Sequence, residues 1–371
     1  MASDSSYFLA NVPDSLRNQI QTIFASCYHP ITEKPIHEER CVSSVSLTNN
    51  KLSITLYFPF PCLSSFELIK SYLQDEILEN TNIDAMEVMY EFTPPATLQK
   101  TTTPSLANVK NIVLVASGKG GVGKSTTAAN LALATAAEGA KVGILDADIY
   151  GPSLPLMFGV TEHVMQTNEA KQMIPAASYN IHIQSLGFLV EPMKAAVWRG
   201  PMASNALMQL IHETHWGELD YLFVDLPPGT GDIQLTLSQK LGLSGAVIVT
   251  TPQNIATADA IKSIEMFRQV KVPILGVVEN MSYHTCSACG HQDNIFGHDG
   301  GEQVAQQYQV PLLGALPLDV KIRENSDHGK PIFIANPESD LSTLYRDIAQ
   351  RVAFTLADFA NKNASIQITN L

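Results

Sequence analysis

Charge is scarce in this sequence, and what there is leans acidic. Charged residues make up 16% of the 371, with 23 Lys and Arg against 36 Asp and Glu, for a net charge of -13. So few basic groups exclude a chain that wraps nucleic acid non-specifically, and a polybasic membrane anchor. Long apolar runs are missing too: none approaches the roughly 18 residues that a membrane-spanning helix needs. The opening residues, MASDSSYFLA, hold neither a basic stretch nor a sustained apolar one, so no secretory leader is expected. Cysteine is sparse, five residues and an odd number, and Cys27, Cys41 and Cys62 follow no regular spacing. A reduced, cytoplasmic protein is the simplest reading.

What is present is enough apolar residue, 45%, to bury a sizeable core. Residues 1–92 read as a small α+β unit. SLRNQIQTIFASC places Leu16, Ile20, Ile23 and Phe24 at helical spacing, and FELIKSYLQDEILEN has the same period. Between them, CVSSVSLTNNKLSITLYFP alternates like two strands around Asn49-Asn50, a hairpin signal. Residues 93–108, rich in Pro and Thr and without periodicity, read as a linker. From residue 109 to 358 short Val/Ile/Leu runs alternate with helical stretches: NIVLVAS, AKVGILDAD, DYLFVDLPP, GAVIVTTP, VPILGVVEN and PLLGALP. Unbroken runs of that kind fit strands buried on both faces. The predicted architecture is therefore α/β, a mostly parallel sheet flanked by helices, with function at the strands' carboxyl ends. A closing helix carries Leu341, Leu344, Tyr345, Ile348, Val352 and Leu356 on one face, and residues 359–371 read as a polar tail.

The strongest motif is SGKGGVGKST, in which Gly118, four residues, Gly123, Lys124 and Ser125 stand directly after a strand and open a helix. That context is the one a phosphate-binding P-loop requires. Glycines at 118, 120, 121 and 123 let backbone N–H groups turn inward around phosphate oxygens, and the helix N-terminus favours the anion. The segment Gly118, Lys119, Gly120, Gly121, Val122, Gly123, Lys124, Ser125 and Thr126 is the candidate nucleotide cradle. Lys124 is placed to reach the β- and γ-phosphates, and Ser125 to ligate Mg²⁺. Two strands end in acid: KVGIL runs into Asp146 and Asp148, and YLFV into Asp225. Asp225 is the candidate Mg²⁺ carboxylate. Only one of the 146/148 pair need act on the attacking water, and Asp148, nearer the IYGPS turn, is the choice; a strand-end structural role suits Asp146. Gly229 and Gly231 in LPPGTGD can approach the γ-phosphate and move when it leaves.

One pair of residues is incomplete on its own. In NMSYHTCSACG, Cys286 and Cys289 are spaced for half a zinc site, a redox dithiol or part of an iron–sulfur site. The metal options want about four ligands, and this stretch offers two cysteines, with His284 and His291 near them. The thioredoxin-like βαβ pattern that usually accompanies a redox pair is absent.

Taken together, SGKGGVGKS, DADIYGPS, DLPPGTGD and CSAC resemble the Mrp/ApbC-type iron–sulfur cluster carrier ATPases, deviant-Walker P-loop NTPases, over residues 109–358. The resemblance implies an ATP- and Mg²⁺-dependent carrier that hydrolyses ATP, and since nothing in the sequence suggests high turnover, slow hydrolysis is expected. In such proteins Cys286 and Cys289 of two subunits bridge one labile 4Fe–4S cluster, which passes to apo-proteins with the help of assembly scaffolds. It further implies that Lys119 reaches across a homodimer to the partner's phosphates, that Asn280 and Pro317 face the adenine, and that Asp148 and Asp225 are the Mg²⁺-side switch carboxylates. VWRGPM, residues 197–202, matches a family segment without a role being evident, and core packing of Trp198 is expected. The small domain resembles assembly factors more loosely. Its stretch SCYHPITE lacks their acidic Asp-Pro-Glu, so Cys27 is either a functional thiol or, more simply, a core residue; Cys41 and Cys62 are read as structural. Rival readings are a spatial-positioning or partitioning ATPase, which wants a basic surface or helix, a zinc-bridged dimer, and a nitrogenase-type electron donor, whose bridging cysteines lie far apart. No nucleic-acid or membrane partner is expected.

Overall fold

The structure is a computed structural model that describes residues 8–10, 12–38, 41–97, 103–189 and 200–369. The chain divides into two compact units, Met1–Pro95 and Ala96–Leu371.

In the first unit the order is β1 (Phe8–Ala10), α1 (Asp14–Ser26), β2 (Val42–Thr48), β3 (Lys51–Phe58), α2 (Leu63–Asn80) and β4 (Ala85–Phe92), with the sheet running β1-β2-β3-β4. The expected hairpin joins β2 to β3. Asn49 and Asn50 have φ of 48° and 59°, the two left-handed residues that a tight turn between twisted strands demands. Ile20, Ile23 and Phe24 of α1, Ile69, Leu73 and Ile77 of α2, and Leu52, Ile54, Leu56 and Phe58 of β3 are buried. Cys27, Cys41 and Cys62 are buried with them, and burial pushes the Cys27 thiol up to about 12. A thiol so far from ionising is a core residue.

The second unit contains β5 (Val109–Ala116), α3 (Lys124–Ala137), β6 (Val142–Asp146), α4 (Leu154–Met157), β7 (Gln166–Thr167), β8 (Met173–Ile174), β9 (Ala176–Ser178), β10 (Ile181–Ser185), α5 (Gly200–Glu213), β11 (Leu219–Asp225), α6 (Asp232–Lys240), β12 (Gly245–Thr250) and α7 (Asn254–Gln269). It continues through β13 (Ile274–Glu279), β14 (His284–Thr285), β15 (Gln292–Asp293), α8 (Gly300–Tyr308), β16 (Leu312–Ala315), α9 (Val320–Asp327), α10 (Ile332–Ala335) and α11 (Asp340–Thr369). The main sheet is ordered β16-β13-β12-β5-β11-β6-β10-β9. Every neighbouring pair in it is parallel except β9 with β10. All residues of β6, β11, β12 and β13 are buried, as unbroken apolar runs require when helices cover both faces. Because β5 has β11 on one side and β12 on the other, connections diverge there, and a crevice opens at the strands' carboxyl ends.

The boundaries read from sequence differ at two places. In the stretch expected as linker, Pro104–Leu106 forms a 3-10 turn with Leu106 fully buried and Ser105 Oγ donating to the Ile211 carbonyl at 2.9 Å. An apolar residue inside a Pro/Thr-rich stretch was enough to dock it. At the other end, α11 continues through the expected polar tail as far as Thr369, since that stretch holds neither Gly nor Pro to stop a helix. Trp198 lies outside the described residues. Among the described residues, no helix is long and apolar enough to cross a membrane.

Candidate functional site

The loop after β5 is built so that only glycine fits at its two ends. A Cβ on Gly118 would lie 2.2 Å from the backbone carbonyl of Asp259 in α7, and one on Gly123 would lie 2.1 Å from Asn280 Nδ2. Gly123 is also left-handed, φ 80°, where it turns the chain into α3. Lys124, the first residue of that helix, is 6% exposed, and its Nζ lies 2.5 Å from Asp225 Oδ1 and 3.2 Å from Ser125 Oγ. Asp225 at the end of β11 is fully buried, and its second oxygen, Oδ2, has no hydrogen-bond partner. A buried carboxylate oxygen left open is a poor structural element and a good cation ligand. Burial raises the Asp225 carboxyl above the usual range, and Lys124 opposes that rise.

The three acids expected here divide their roles by geometry. Asp146 lies in register with Asp225 on the neighbouring strand and is 1% exposed. It accepts the backbone N–H groups of Asp148 at 3.2 Å, Ser153 at 3.0 Å and Leu154 at 3.1 Å, and the Ser185 hydroxyl at 3.3 Å. It therefore folds the 148–154 turn and caps α4. Burial, then the Asp225 charge, pushes it up to about 7. Asp148, held on that turn, is half-buried, and burial raises its carboxyl as well. Sequence had weighed Asp146 against Asp148 as alternatives; Ser185, which completes the row Asp225–Asp146–Ser185 across three strands, gave no signal.

The segment after Asp225 reaches back to the loop: Gly229, φ 96°, donates its N–H to the Ser117 carbonyl at 2.8 Å. Gln234 Nε2 holds the Pro227 carbonyl at 2.7 Å. Lys119 is half-buried in the same loop. Asn280 follows β13; its N–H donates to Thr250 and its Nδ2 to the Val122 carbonyl, both at 2.8 Å, so it clamps the glycine-rich loop. Pro317 lines a cleft of about 920 Å³ together with Tyr283, Thr285, Gln292, Asp319 and Leu341, and Asn280 is not part of that wall.

The cysteines stand on a two-stranded ribbon, β14 with β15. Cys286 N–H donates to His291 O and Gly290 N–H to Cys286 O, both at 2.9 Å, with Gly290 left-handed at φ 73°. Cys286 is half-buried and Cys289 exposed. The N–H groups of Ala288 and Cys289, and the Cys289 thiol, hold Cys286 below the ordinary thiol range. His284 Nδ1 is engaged with the Leu318 carbonyl at 3.1 Å, and His291 pairs with Asp293 at 3.1 Å. Among the described residues, no three His, Cys, Asp or Glu side chains gather as a metal site.

This arrangement matches known proteins over most of its length. A family model described as ParA: NUBPL iron-transfer P-loop NTPase matches residues 108–353. The iron–sulfur cluster carrier protein of Escherichia coli K12 is 47% identical over 347 residues, 94% of each chain. A protein of the same description from Pseudomonas fragi is 58% identical over 247 residues, 66% of this chain and 86% of that one. Among solved structures, the nucleotide-binding protein of Archaeoglobus fulgidus in complex with ADP is 36% identical, with a TM-score of 0.57 over 65% of this chain and 94% of that one.

Proposed function

Because the chain belongs to the family of iron-transfer P-loop NTPases that includes the iron–sulfur cluster carrier proteins, we propose that it is an ATP-dependent carrier. Two copies hold one labile 4Fe–4S cluster between them and deliver it to apo-proteins. The observation that carries this reading is the ribbon turn, where the half-buried Cys286 and the exposed Cys289 stand with no third ligand gathered beside them among the described residues. Four thiolates bind such a cluster, and a twofold axis beside the turn supplies the second pair. The cluster is cargo, and an exposed turn suits its release.

ATP is the proposed nucleotide. Backbone N–H groups from Gly120 to Thr126 receive its phosphates, and Lys124 leaves Asp225 to bind them. Mg²⁺ would neutralise charge developing on the phosphates; Ser125 Oγ, the open Oδ2 of Asp225 and, beside them, Asp148 form the donor set that fits it. Asp148 also orients the attacking water, Lys119 serves the partner's nucleotide, and Asn280 and the Pro317 loop bound the base. Hydrolysis to ADP and phosphate is slow and resets the dimer. We place the protein in the cytoplasm, with apo iron–sulfur proteins and assembly scaffolds as partners rather than nucleic acid or membrane. The positioning-ATPase rival needs outward basic groups on the last helix. Here Arg346 turns in to Glu138 at 3.3 Å and Arg351 to the Leu313 carbonyl at 2.9 Å, and the one exposed lysine described on that helix, Lys362, pairs with Asp358 at 2.5 Å.

Anaerobic reconstitution with iron and sulfide tests the proposal, read by absorbance, iron content and mass in solution. Wild type should take up one cluster per two chains, and Cys286→Ala/Cys289→Ala none. A double variant that fills normally, or a wild type that holds only zinc, sinks it.

A further inference from the structure

Beyond the ends of β13 and β16 the two chain segments remain joined. Leu316 N–H donates to Glu279 O at 2.8 Å, Ser282 N–H to Leu316 O at 2.9 Å, and Leu318 N–H to Tyr283 O at 2.7 Å. The last rung is a side chain: His284 Nδ1 lies 3.1 Å from the Leu318 carbonyl. A carbonyl only accepts, so this nitrogen carries the proton and the ring's tautomer is fixed. The near end of the ribbon is anchored separately. Glu279 accepts the Ser282 hydroxyl at 2.6 Å and the Gly301 N–H at 2.5 Å, which ties it to α8.

His284 thus sits between two functional segments. Two residues after it comes Cys286, held in its turn by the bond to His291. Bonded to it is Leu318, flanked by Pro317 and Asp319, which line the 920 Å³ cleft together with Tyr283, Thr285 and Gln292 and with residues between 332 and 344. An occupant of the cleft touches both segments at once. The backbone rungs stop at Tyr283, so the imidazole is what extends the connection into β14, the strand that leads into the cysteine turn.

We propose that His284 is a positioning residue that makes the cysteine turn move with the Pro317 loop, so that a nucleotide seated against that loop sets the exposure of Cys286 and Cys289. The inference rests on reading that loop as part of the nucleotide site. Full-length, reduced, metal-free protein tests it through the alkylation rates of Cys286 and Cys289 by iodoacetamide, followed by mass spectrometry with and without Mg-ATP. Buried Cys27, Cys41 and Cys62 serve as silent internal controls. Binding of a fluorescent ATP analogue is measured on every variant. Mg-ATP should change the wild-type rate by about fivefold or more, the span expected of a coupled pair of sites. In His284→Ala the rate should shift by less than about twofold while the analogue still binds. His284→Asn, whose amide N–H replaces Nδ1–H, should recover most of the response. If the alanine variant does not fold, His284→Phe, similar in size and lacking the N–H, replaces it. A wild type that binds the analogue without any change in alkylation overturns the inference, as does a His284→Ala variant that responds like wild type. A wild type that binds no nucleotide overturns the nucleotide-site reading, and this inference with it.

Discussion

Removing Lys124 should destabilise the protein even when no nucleotide is present. Lys124 and Asp225 are 6% and 0% exposed and meet at 2.5 Å, so neither is screened by water. In Lys124→Met the aliphatic volume stays and the ammonium goes, leaving a buried carboxylate whose Oδ2 already lacks a partner. Breaking a buried pair from one side costs about 3–5 kcal/mol, because the remaining charge is uncompensated. At about 2–4 °C per kcal/mol for a domain of this size, the melting temperature falls by roughly 10 °C. Removing both charges, in Lys124→Met/Asp225→Leu, should recover most of that loss, since a buried pair replaced by apolar groups is close to neutral. The assay is calorimetry of EDTA-treated, nucleotide-free protein for wild type, both single variants and the double, closed as a cycle. A Lys124→Met variant within about 0.5 kcal/mol of wild type, or a double variant no better than the single, refutes the reasoning.

Gly118→Ala would force a methyl into the Asp259 backbone; overpacking of this kind costs about 1–3 kcal/mol, and the displaced loop should weaken ATP binding at least about tenfold by titration calorimetry. Asp146→Asn turns one of the two accepting oxygens into an NH2 group, which then faces either the Asp148 N–H or the N–H groups of Ser153 and Leu154. It should cost about 2 kcal/mol and speed hydrogen exchange across residues 148–154, with unchanged exchange counting against the capping role. His29 in the first unit is fully buried between Phe58 and Phe60, accepts the Ile31 N–H at 3.1 Å, and is pushed by burial down to about 4. A depressed His is neutral when folded and takes up its proton first when unfolded. The first unit should therefore lose stability as pH falls from about 6.5 to 4, by about 3 kcal/mol in all, and keep it above 6.5. His29→Gln should flatten that slope in melts followed by near-ultraviolet circular dichroism, and an equal slope in the variant would show the wrong residue had been named.

What was legible in the sequence was whatever a local pattern encodes. The Asn49-Asn50 turn, the apolar runs of β5, β6, β11, β12 and β13, and the glycines of the phosphate loop each require particular residues at fixed short spacing. The pairing of Asp225 with Lys124 across 101 positions was legible only as two halves, a strand-end acid and a loop lysine. Ser185 gave no signal, and His284 was read only as a possible metal ligand, because the partners they meet are remote and ordinary. One meets Asp146 only when β10 lies beside β6, and the other meets a backbone carbonyl, which leaves no trace in side-chain chemistry. Asn280, expected at the adenine, stands six residues before Cys286 in the sequence. In the fold Asn280 is held to the Val122 carbonyl of the glycine-rich loop, while His284 ties the cysteine end to the Leu318 carbonyl. The two ends of one short segment thus answer to different neighbours. Coupling along it depends on rungs to β16's loop, not on the covalent chain alone.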